Sequence, residues 1–415
     1  MLKKISIGQL APGMFLHAFC GAWLDHPFWR KRFLIRDAAQ VAALRSSGPV
    51  ACWIDLERGC DVAQAAEVSP PEPTFGTAEV AVKRAPSRPA PASADEELAR
   101  AAPLALAAKE RLLSVFDDVR NGRVPDLEAC SPIVADVADS LARNASAMIG
   151  IVRRKQPDEY TAMHSVAVCT LMVALARKLG LSEAQVQEAG MAGLLHDLGK
   201  GMIPSEILDK PGPLTDEEFA IVKRHSQLGH DILRRSDCVG DAVLLACLQH
   251  HERPDGKGYP ERLAGNELTL YARMCAVCDV YDAVTSDRPY KRGWCPSESL
   301  ARMAQWTKKG QFDAPIFLAF IGCVGVFPVG SLVRLNSQRL AVVVENTPAS
   351  ARAPRIRAFY SLRSRMPVSI ETIDLSAPGC RDFIVERESN DKWNFPQLAE
   401  LTYGEAARHA AAVSG

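Results

Sequence analysis

Histidines are concentrated in one stretch of this 415-residue chain, and their placement restricts the folds open to it. Six of the nine histidines lie between positions 164 and 251, where apolar helical patterns begin, end or are interrupted. Asp197 directly follows His196, and Asp279 lies inside an apolar helical pattern. Burial of a carboxylate there is costly unless it is paired or bound to a metal. We therefore predict several helices that converge on one polar pocket. The residues concerned are His164, His196, Asp197, His225, His230, His250, His251 and Asp279.

The chemistry of this set favours a metal site other than a structural zinc site. Imidazole and carboxylate ligands without thiolate suit iron, manganese or zinc. An aspartate that directly follows a histidine, as Asp197 follows His196, can bridge two cations, which predicts a binuclear centre. The chain also has twelve cysteines, and Cys275 and Cys278 form a CxxC spacing inside an apolar helical pattern. We interpret the cysteines as reduced thiols, and this pair as part of a buried helix.

Changes in composition divide the chain into five parts. Apolar alternation and bulky side chains predict a small α+β domain over 1–66, followed by a Pro/Ala-rich linker over 67–100. Helical periodicity predicts connecting helices over 101–132 and a helical domain over 133–325. The remaining part, 326–415, is predicted to be β-rich, with a hairpin whose turn lies near Asn336. The predicted fold class is thus mainly α, a helical bundle with a small α+β N-terminal domain and a short β-rich C-terminal region.

The charge balance excludes some partners. Lys plus Arg and Asp plus Glu both number 49, so the chain lacks the basic footprint of a dedicated nucleic-acid binder. No apolar stretch of signal-peptide type follows the N-terminal lysines, which predicts a cytoplasmic protein. The uncharged stretch 314–333 is long enough for a membrane span, but Pro and Gly interrupt it. We predict a buried helix followed by a strand there, and no membrane span.

Three strings in the helical domain resemble one family. They are LLHDLGKGMIP at 194–204, HHERPDGKGYP at 250–260 and CDVYDAVTSDRPYKR at 278–292. Together they resemble the HD-GYP family, the phosphodiesterases of bacterial cyclic di-GMP signalling, within the HD phosphohydrolase superfamily. The resemblance covers residues 133–325 and implies an HD-type helical bundle. The first 66 residues resemble the N-terminal domain of unknown function that is fused to some members.

The resemblance implies a ligand set for two divalent metal ions, iron or manganese. Asp197 is implied to bridge the two ions. Some members bind a third metal through a glutamate one turn before the first histidine, but Tyr160 occupies that position here, beside Glu159. This departure favours two metals. The implied ligands are His164, His196, Asp197, His225, His250, His251 and Asp279, whereas His230 matches no ligand position.

Further residues are expected to contact the substrate. Lys200, one turn after the His-Asp pair, is a candidate to hold the scissile phosphate, and Arg288 and Lys291 match phosphate-contacting positions of the family. Asp282 shares a helix face with Asp279 and is expected to orient a ligand or a water at the substrate site. Finally, Gly258 allows a sharp turn, while Tyr259 either stacks on a guanine or has a purely structural role.

The resemblance implies hydrolysis of cyclic di-GMP to linear pGpG, and whether cleavage continues to GMP stays open. Two alternatives stay open: a low-turnover cyclic di-GMP sensor or docking module, and an HD hydrolase for another cyclic dinucleotide. The family also implies contacts with GGDEF-domain diguanylate cyclases. The sequence does not decide the oligomeric state, and a homodimer is compatible with it.

Overall fold

The computed structural model describes most of the chain. The described residues are 2–6, 9–20, 33–35, 41, 51–56, 58–60, 89–153, 160–236, 238–286, 293–347 and 350–403. The chain divides into two compact units, residues 1–85 and 86–415. The described part is mainly α-helical, with strands at both ends of the chain, as the sequence predicts.

The first unit contains a small antiparallel sheet. Its strands are β1 (Leu2–Ser6), β2 (Phe15–Cys20), β3 (Phe33–Leu34) and β4 (Ala51–Asp55), in the order β1-β4-β2-β3. Alternate side chains of these strands, such as Ile5 and Ile54, are buried in a core that also includes Met14. The strands expected near Ile5 and over 50–54 are therefore present. The short helix expected over 37–47 lies outside the described residues, apart from Val41.

The second unit begins with a bundle of helices. They are α1 (Ala94–Arg120), α2 (Ser131–Val152), α3 (Tyr160–Lys178), α4 (Glu183–Leu195), α5 (Ser205–Leu208), α6 (Asp216–Lys223), α7 (His225–Leu233), α8 (Asp241–Gln249), α9 (Leu270–Thr285), α10 (Pro296–Lys308) and α11 (Ala314–Val324). Local signals begin two of them, because Ser182 and Gln185 form a capping box at α4, and Thr215 and Glu218 form another at α6.

Helix α1 begins earlier than the sequence analysis predicts. The linker was expected to extend to residue 100, but α1 begins at Ala94 and passes through Pro103. Ser93 and Glu96 form a capping box at its start, and the carboxylate of Glu97 accepts hydrogen bonds from Ser140 and Arg143 of α2. These contacts stabilise the helix N-terminal to the proline. The linker boundary was therefore wrong by seven residues.

Helix α3 lies at the centre of the bundle, where it packs against α1, α2, α4, α9 and α11. It is long and apolar enough to cross a membrane, but 78% of its apolar window is buried inside the protein. Its hydrophobicity is therefore explained by its position in the core. Helix α11, in the uncharged stretch discussed above, has only 11 residues and ends at Gly325.

A five-stranded antiparallel sheet follows the bundle. Its strands are β5 (Leu332–Leu335), β6 (Arg339–Thr347), β7 (Ser350–Ser361), β8 (Met366–Asp374) and β9 (Ile384–Glu388), in the order β8-β7-β6-β5-β9. The predicted hairpin is confirmed as the β5–β6 pair. Two short helices follow, α12 (Asn390–Trp393) and α13 (Leu398–Tyr403). The sheet contacts the bundle through hydrogen bonds such as the one that the backbone amide of Asn346 donates to Ser146 Oγ, at 3.0 Å.

Candidate metal centre

The predicted ligands come from helices that are far apart in the sequence. His164 lies on α3, His196 caps the end of α4, and His225 begins α7, while His250 caps the end of α8. Asp279 lies in the middle of α9. The structure brings all seven side chains into two adjacent groups whose ligand atoms lie within 4.8 Å of one another in each group. One group is His164, His196 and Asp279, and the other is Asp197, His225, His250 and His251.

The carboxylate of Asp197 lies between the two groups. Its Oδ2 is 3.2 Å from His196 Nε2 and 3.6 Å from His164 Nε2. Its Oδ1 faces the other way, 3.4 Å from His225 Nε2 and 3.8 Å from His250 Nε2. Each oxygen thus serves a different group, which is the geometry that a bridging carboxylate needs.

Hydrogen bonds at the far side of the ring orient four of the five imidazoles. Nδ1 of His196 lies 2.9 Å from the carbonyl oxygen of Gly193, and Nδ1 of His225 and His250 lie 2.7 Å from carbonyl oxygens three residues earlier. A carbonyl only accepts, so each Nδ1 carries the proton and each Nε2 presents a lone pair to the centre. For His164 the partner is a carboxylate, Asp282 Oδ2, at 2.6 Å.

The pKa shifts of these side chains favour the binding of cations. Burial lowers the pKa of His225, His250 and His251, the last to about 3. Burial also opposes ionisation of Asp197, but His196 and Lys200 outweigh this effect and hold its pKa well below the usual range. At neutral pH the imidazoles of His225, His250 and His251 are therefore neutral beside an ionised Asp197, the protonation state that metal ligands require. For His196, the neighbouring Asp197 carboxylate outweighs burial and raises the pKa.

Two buried atoms of the centre fit a bound cation. Within the described part of the chain, His196 Nε2 and Asp197 Oδ1 are buried and have no hydrogen-bond partner. Buried polar atoms are costly when they are left unsatisfied. Because the set consists of nitrogen and oxygen donors, the residues present fit divalent metal ions.

The segment after the His-Asp pair packs tightly against α7. A Cβ atom on Gly199 would lie 2.0 Å from the carbonyl oxygen of His225 and 2.4 Å from the amide of Gly229, so only glycine allows this approach. Next to it, Lys200 Nζ lies 2.6 Å from Asp197 Oδ2. The amine therefore contacts the Asp197 carboxylate directly, a partner that the sequence does not indicate.

A cleft of about 980 Å³ adjoins the centre. His250 and His251 are part of its wall, as are Gly258 and Tyr259. Asp282 is fully buried and is not part of the lining, so it faces His164. Basic side chains of the lining are Lys223, Arg224, Arg253, Lys257 and Arg262.

The loop that carries Gly258 and Tyr259 is held by Glu252, a residue that the sequence analysis missed. Glu252 is 2% exposed, and its Oε1 accepts hydrogen bonds from the amides of Glu261 and Arg262 at 2.6 and 2.8 Å. A Cβ on Gly258 would lie 2.4 Å from Glu252 Cα. The only sequence signal for Glu252 was its position directly after the two histidines.

Four further positions were named in the sequence analysis. Arg288 and Lys291 lie outside the described residues, so their expected phosphate contacts stay predictions. Tyr160, in place of the glutamate that some family members use, stacks on the His164 ring at 5.5 Å between centroids. His230 is paired with Asp231 at the surface, 3.3 Å away, and belongs to neither group.

The fold and this ligand set define an HD-domain protein. A family model described as an HD domain matches residues 128–316, and a model described as a domain of unknown function, DUF3391, matches residues 2–130. A cyclic di-GMP phosphodiesterase of Pseudomonas aeruginosa is 47% identical over 97% of this chain and 96% of its own length. The chain belongs to the HD-GYP family of HD-domain enzymes, in the form that carries an N-terminal DUF3391 domain.

Other relatives match a smaller share of the chain. A cyclic di-GMP phosphodiesterase response regulator of Xanthomonas campestris is 43% identical over 34% of this chain and 37% of its own length. A 3′3′-cGAMP-specific phosphodiesterase of Vibrio cholerae is 35% identical over 42% of this chain and 39% of its own length. The HD-GYP part is thus similar to enzymes named for two different cyclic dinucleotides.

Proposed function

We propose that this chain is a metal-dependent phosphodiesterase that hydrolyses cyclic di-GMP to linear pGpG, and further to GMP. One observation carries the proposal: the Asp197 carboxylate lies between two groups of His and Asp side chains, beside a cleft with basic walls. A cyclic dinucleotide has two bases and two anionic phosphodiesters, and its negative charge matches the basic side chains of the cleft lining. The name of the full-length relative from Pseudomonas aeruginosa supports this substrate.

The seven residues of the two groups would hold two divalent cations, iron or manganese. His164, His196 and Asp279 would bind one cation, His225, His250 and His251 would bind the other, and Asp197 would bridge them. When bound, two such cations supply a hydroxide nucleophile at neutral pH and stabilise charge on the phosphate oxygens.

The protein's own groups have distinct tasks in this proposal. The backbone carbonyls keep the imidazole protons of His196, His225 and His250 on Nδ1, and Asp282 does the same for His164, so that Nε2 of these four rings faces the centre. Lys200 places its ammonium beside Asp197, where it can meet a phosphate oxygen of the substrate and balance the charge that develops there. Arg288 and Lys291 would contact the phosphates, as their family positions imply.

The cellular location and the protein partners are proposed from the family resemblance. We expect a cytoplasmic protein whose loop at Gly258 and Tyr259 contacts GGDEF-domain diguanylate cyclases. Light scattering on the purified chain would distinguish a monomer from a homodimer.

The test is a chromatographic turnover assay on protein purified without oxygen, with metal content measured on the same sample. We expect pGpG and GMP to form in proportion to occupancy, up to two metals per chain. The panel includes 3′3′-cGAMP, and faster turnover of that nucleotide would show that the substrate assignment is wrong. Two bound metals without turnover of either nucleotide would contradict the enzyme and favour a sensor.

A further inference from the structure

The end of α6 provides a wall of the cleft that none of the predicted functions uses. Phe219 and Lys223 lie one helical turn apart on α6, and both line the cleft. Phe219 is a large apolar side chain, yet it is 45% exposed. Lys223 Nζ lies 4.9 Å from the centroid of the Phe219 ring and 6.0 Å from that of Tyr259. An aromatic ring and a cation thus occur together beside the metal centre.

Tyr259 has other contacts that explain its position. Its ring stacks on the His251 imidazole, with 4.7 Å between centroids and 28° between planes. Phe219 meets it edge to face at 6.4 Å. Burial also raises the pKa of the Tyr259 hydroxyl. These contacts make Tyr259 a support for His251.

Phe219 is therefore the most exposed aromatic side chain in the lining of this cleft. The lining includes three aromatic residues other than histidine, namely Phe219, Tyr259 and Phe312, and Phe312 is only 5% exposed. Phe219 keeps its exposure even with the Lys223 ammonium above its ring. Any base has a flat π-face, so an exposed ring at this place suits stacking.

Lys223 and Arg253 both line the cleft, but of the two only Arg253 is neutralised by a carboxylate in the part of the chain that the structure describes. Arg253 makes two hydrogen bonds to the Asp255 carboxylate, at 2.7 and 3.0 Å. Among the described residues Lys223 forms no ion pair, and its ammonium contacts the rings of Phe219 and Tyr259. A half-buried ammonium without a neutralising carboxylate attracts an anion.

We propose that Phe219 and Lys223 form a second substrate subsite, in which the ring stacks on one base and the ammonium pairs with the phosphate that is not being cleaved. The inference rests on the proposed function, in which the metal centre would hold the scissile phosphate of a substrate that has two phosphates. The second phosphate and its base need partners away from the metal ligands. Phe219 and Lys223 supply both kinds of partner on one helix face.

The test compares two substrates of the metal-loaded full chain. Bis(p-nitrophenyl) phosphate has one phosphodiester and no base, whereas cyclic di-GMP also has a second phosphate and two guanines. For Phe219→Ala and for Lys223→Ala we expect the ratio of kcat/KM for cyclic di-GMP to kcat/KM for bis(p-nitrophenyl) phosphate to fall about tenfold. In both variants the loss should come from a higher KM for cyclic di-GMP. Lys223→Arg should keep most of the wild-type ratio, because it keeps the positive charge.

Matched controls come from exposed residues outside the lining. Phe383 is 58% exposed in the C-terminal part, and Lys308 is exposed at the end of α10. Phe383→Ala and Lys308→Ala should keep the wild-type ratio. An unchanged ratio in the two subsite variants, or an equal loss for both substrates, would overturn the subsite.

A binding measurement separates this inference from the proposed function. The probe is the phosphorothioate analogue of cyclic di-GMP, which resists hydrolysis, and its Kd is measured by calorimetry. If the wild type cleaves only bis(p-nitrophenyl) phosphate, the proposed function is wrong. The subsite then stands if the two variants bind the analogue about tenfold more weakly, and it fails if they bind as the wild type does.

Discussion

The buried pair of His164 and Asp282 offers a direct test of how the metal centre is held. His164 Nδ1 and Asp282 Oδ2 are 2.6 Å apart, and the two side chains are 2% and 0% exposed. Asp282→Asn keeps the size of the side chain and an acceptor oxygen but removes its charge. Asp282→Ala also removes the acceptor and leaves the Nδ1 proton buried. The two variants therefore separate the contribution of the charge from that of the hydrogen bond.

The size of the effect follows from the geometry. Loss of a carboxylate that orients a metal-bound imidazole typically weakens metal affinity 10- to 100-fold, or about 1.4 to 2.7 kcal/mol. A buried donor without a partner also costs about 1 to 3 kcal/mol. We therefore expect about 10-fold weaker metal binding for Asp282→Asn and about 100-fold for Asp282→Ala. The alanine variant should also be less stable without metal.

The assay is a competition titration with a chromophoric chelator, combined with thermal unfolding of the metal-free protein. Asp231→Ala is the matched control, since Asp231 forms a similar pair with His230 at 3.3 Å on the surface. This control should bind metal as the wild type does. Wild-type affinity in Asp282→Ala, or an equal loss in Asp231→Ala, would refute the orienting role.

Four further outcomes are expected. The double variant His196→Ala with Asp197→Ala should lose both metals and all turnover, so retained turnover would contradict the assignment of the centre. Lys200→Ala should slow turnover about 100-fold at wild-type metal content, and loss of metal would exclude the phosphate role. Gly258→Ala should weaken cyclic di-GMP binding and cost about 1 to 3 kcal/mol of stability in chemical denaturation, because its Cβ would overlap neighbouring backbone. Since burial lowers the pKa of His251 to about 3, the unfolded chain binds the extra proton between that value and roughly 6.5. Above roughly pH 6.5 His251 is neutral in both the folded and the unfolded chain, and as the pH falls below it this residue should cost the metal-free protein up to about 1.4 kcal/mol per pH unit, measured by denaturation against a His251→Gln variant.

Much of the fold is encoded in local signals. The capping boxes at Ser182 and Thr215 start helices where the sequence predicts, because a cap is made by residues only three positions apart. The β5–β6 hairpin is equally local. By contrast, the start of α1 depends on Glu97, whose partners Ser140 and Arg143 lie more than 40 residues away. A composition rich in proline and alanine does not reveal such a contact.

The sequence by itself determined which side chains could bind metal, because their type and their motif strings are properties of single positions. Only the tertiary structure decided how they are arranged: that the two oxygens of Asp197 face different groups, and that His164 has Asp282 as its partner. It also placed Tyr259 against His251 and left Phe219 exposed in the cleft. The physical reason is that these relations depend on how separate helices pack, and packing is fixed by contacts between residues far apart in the chain.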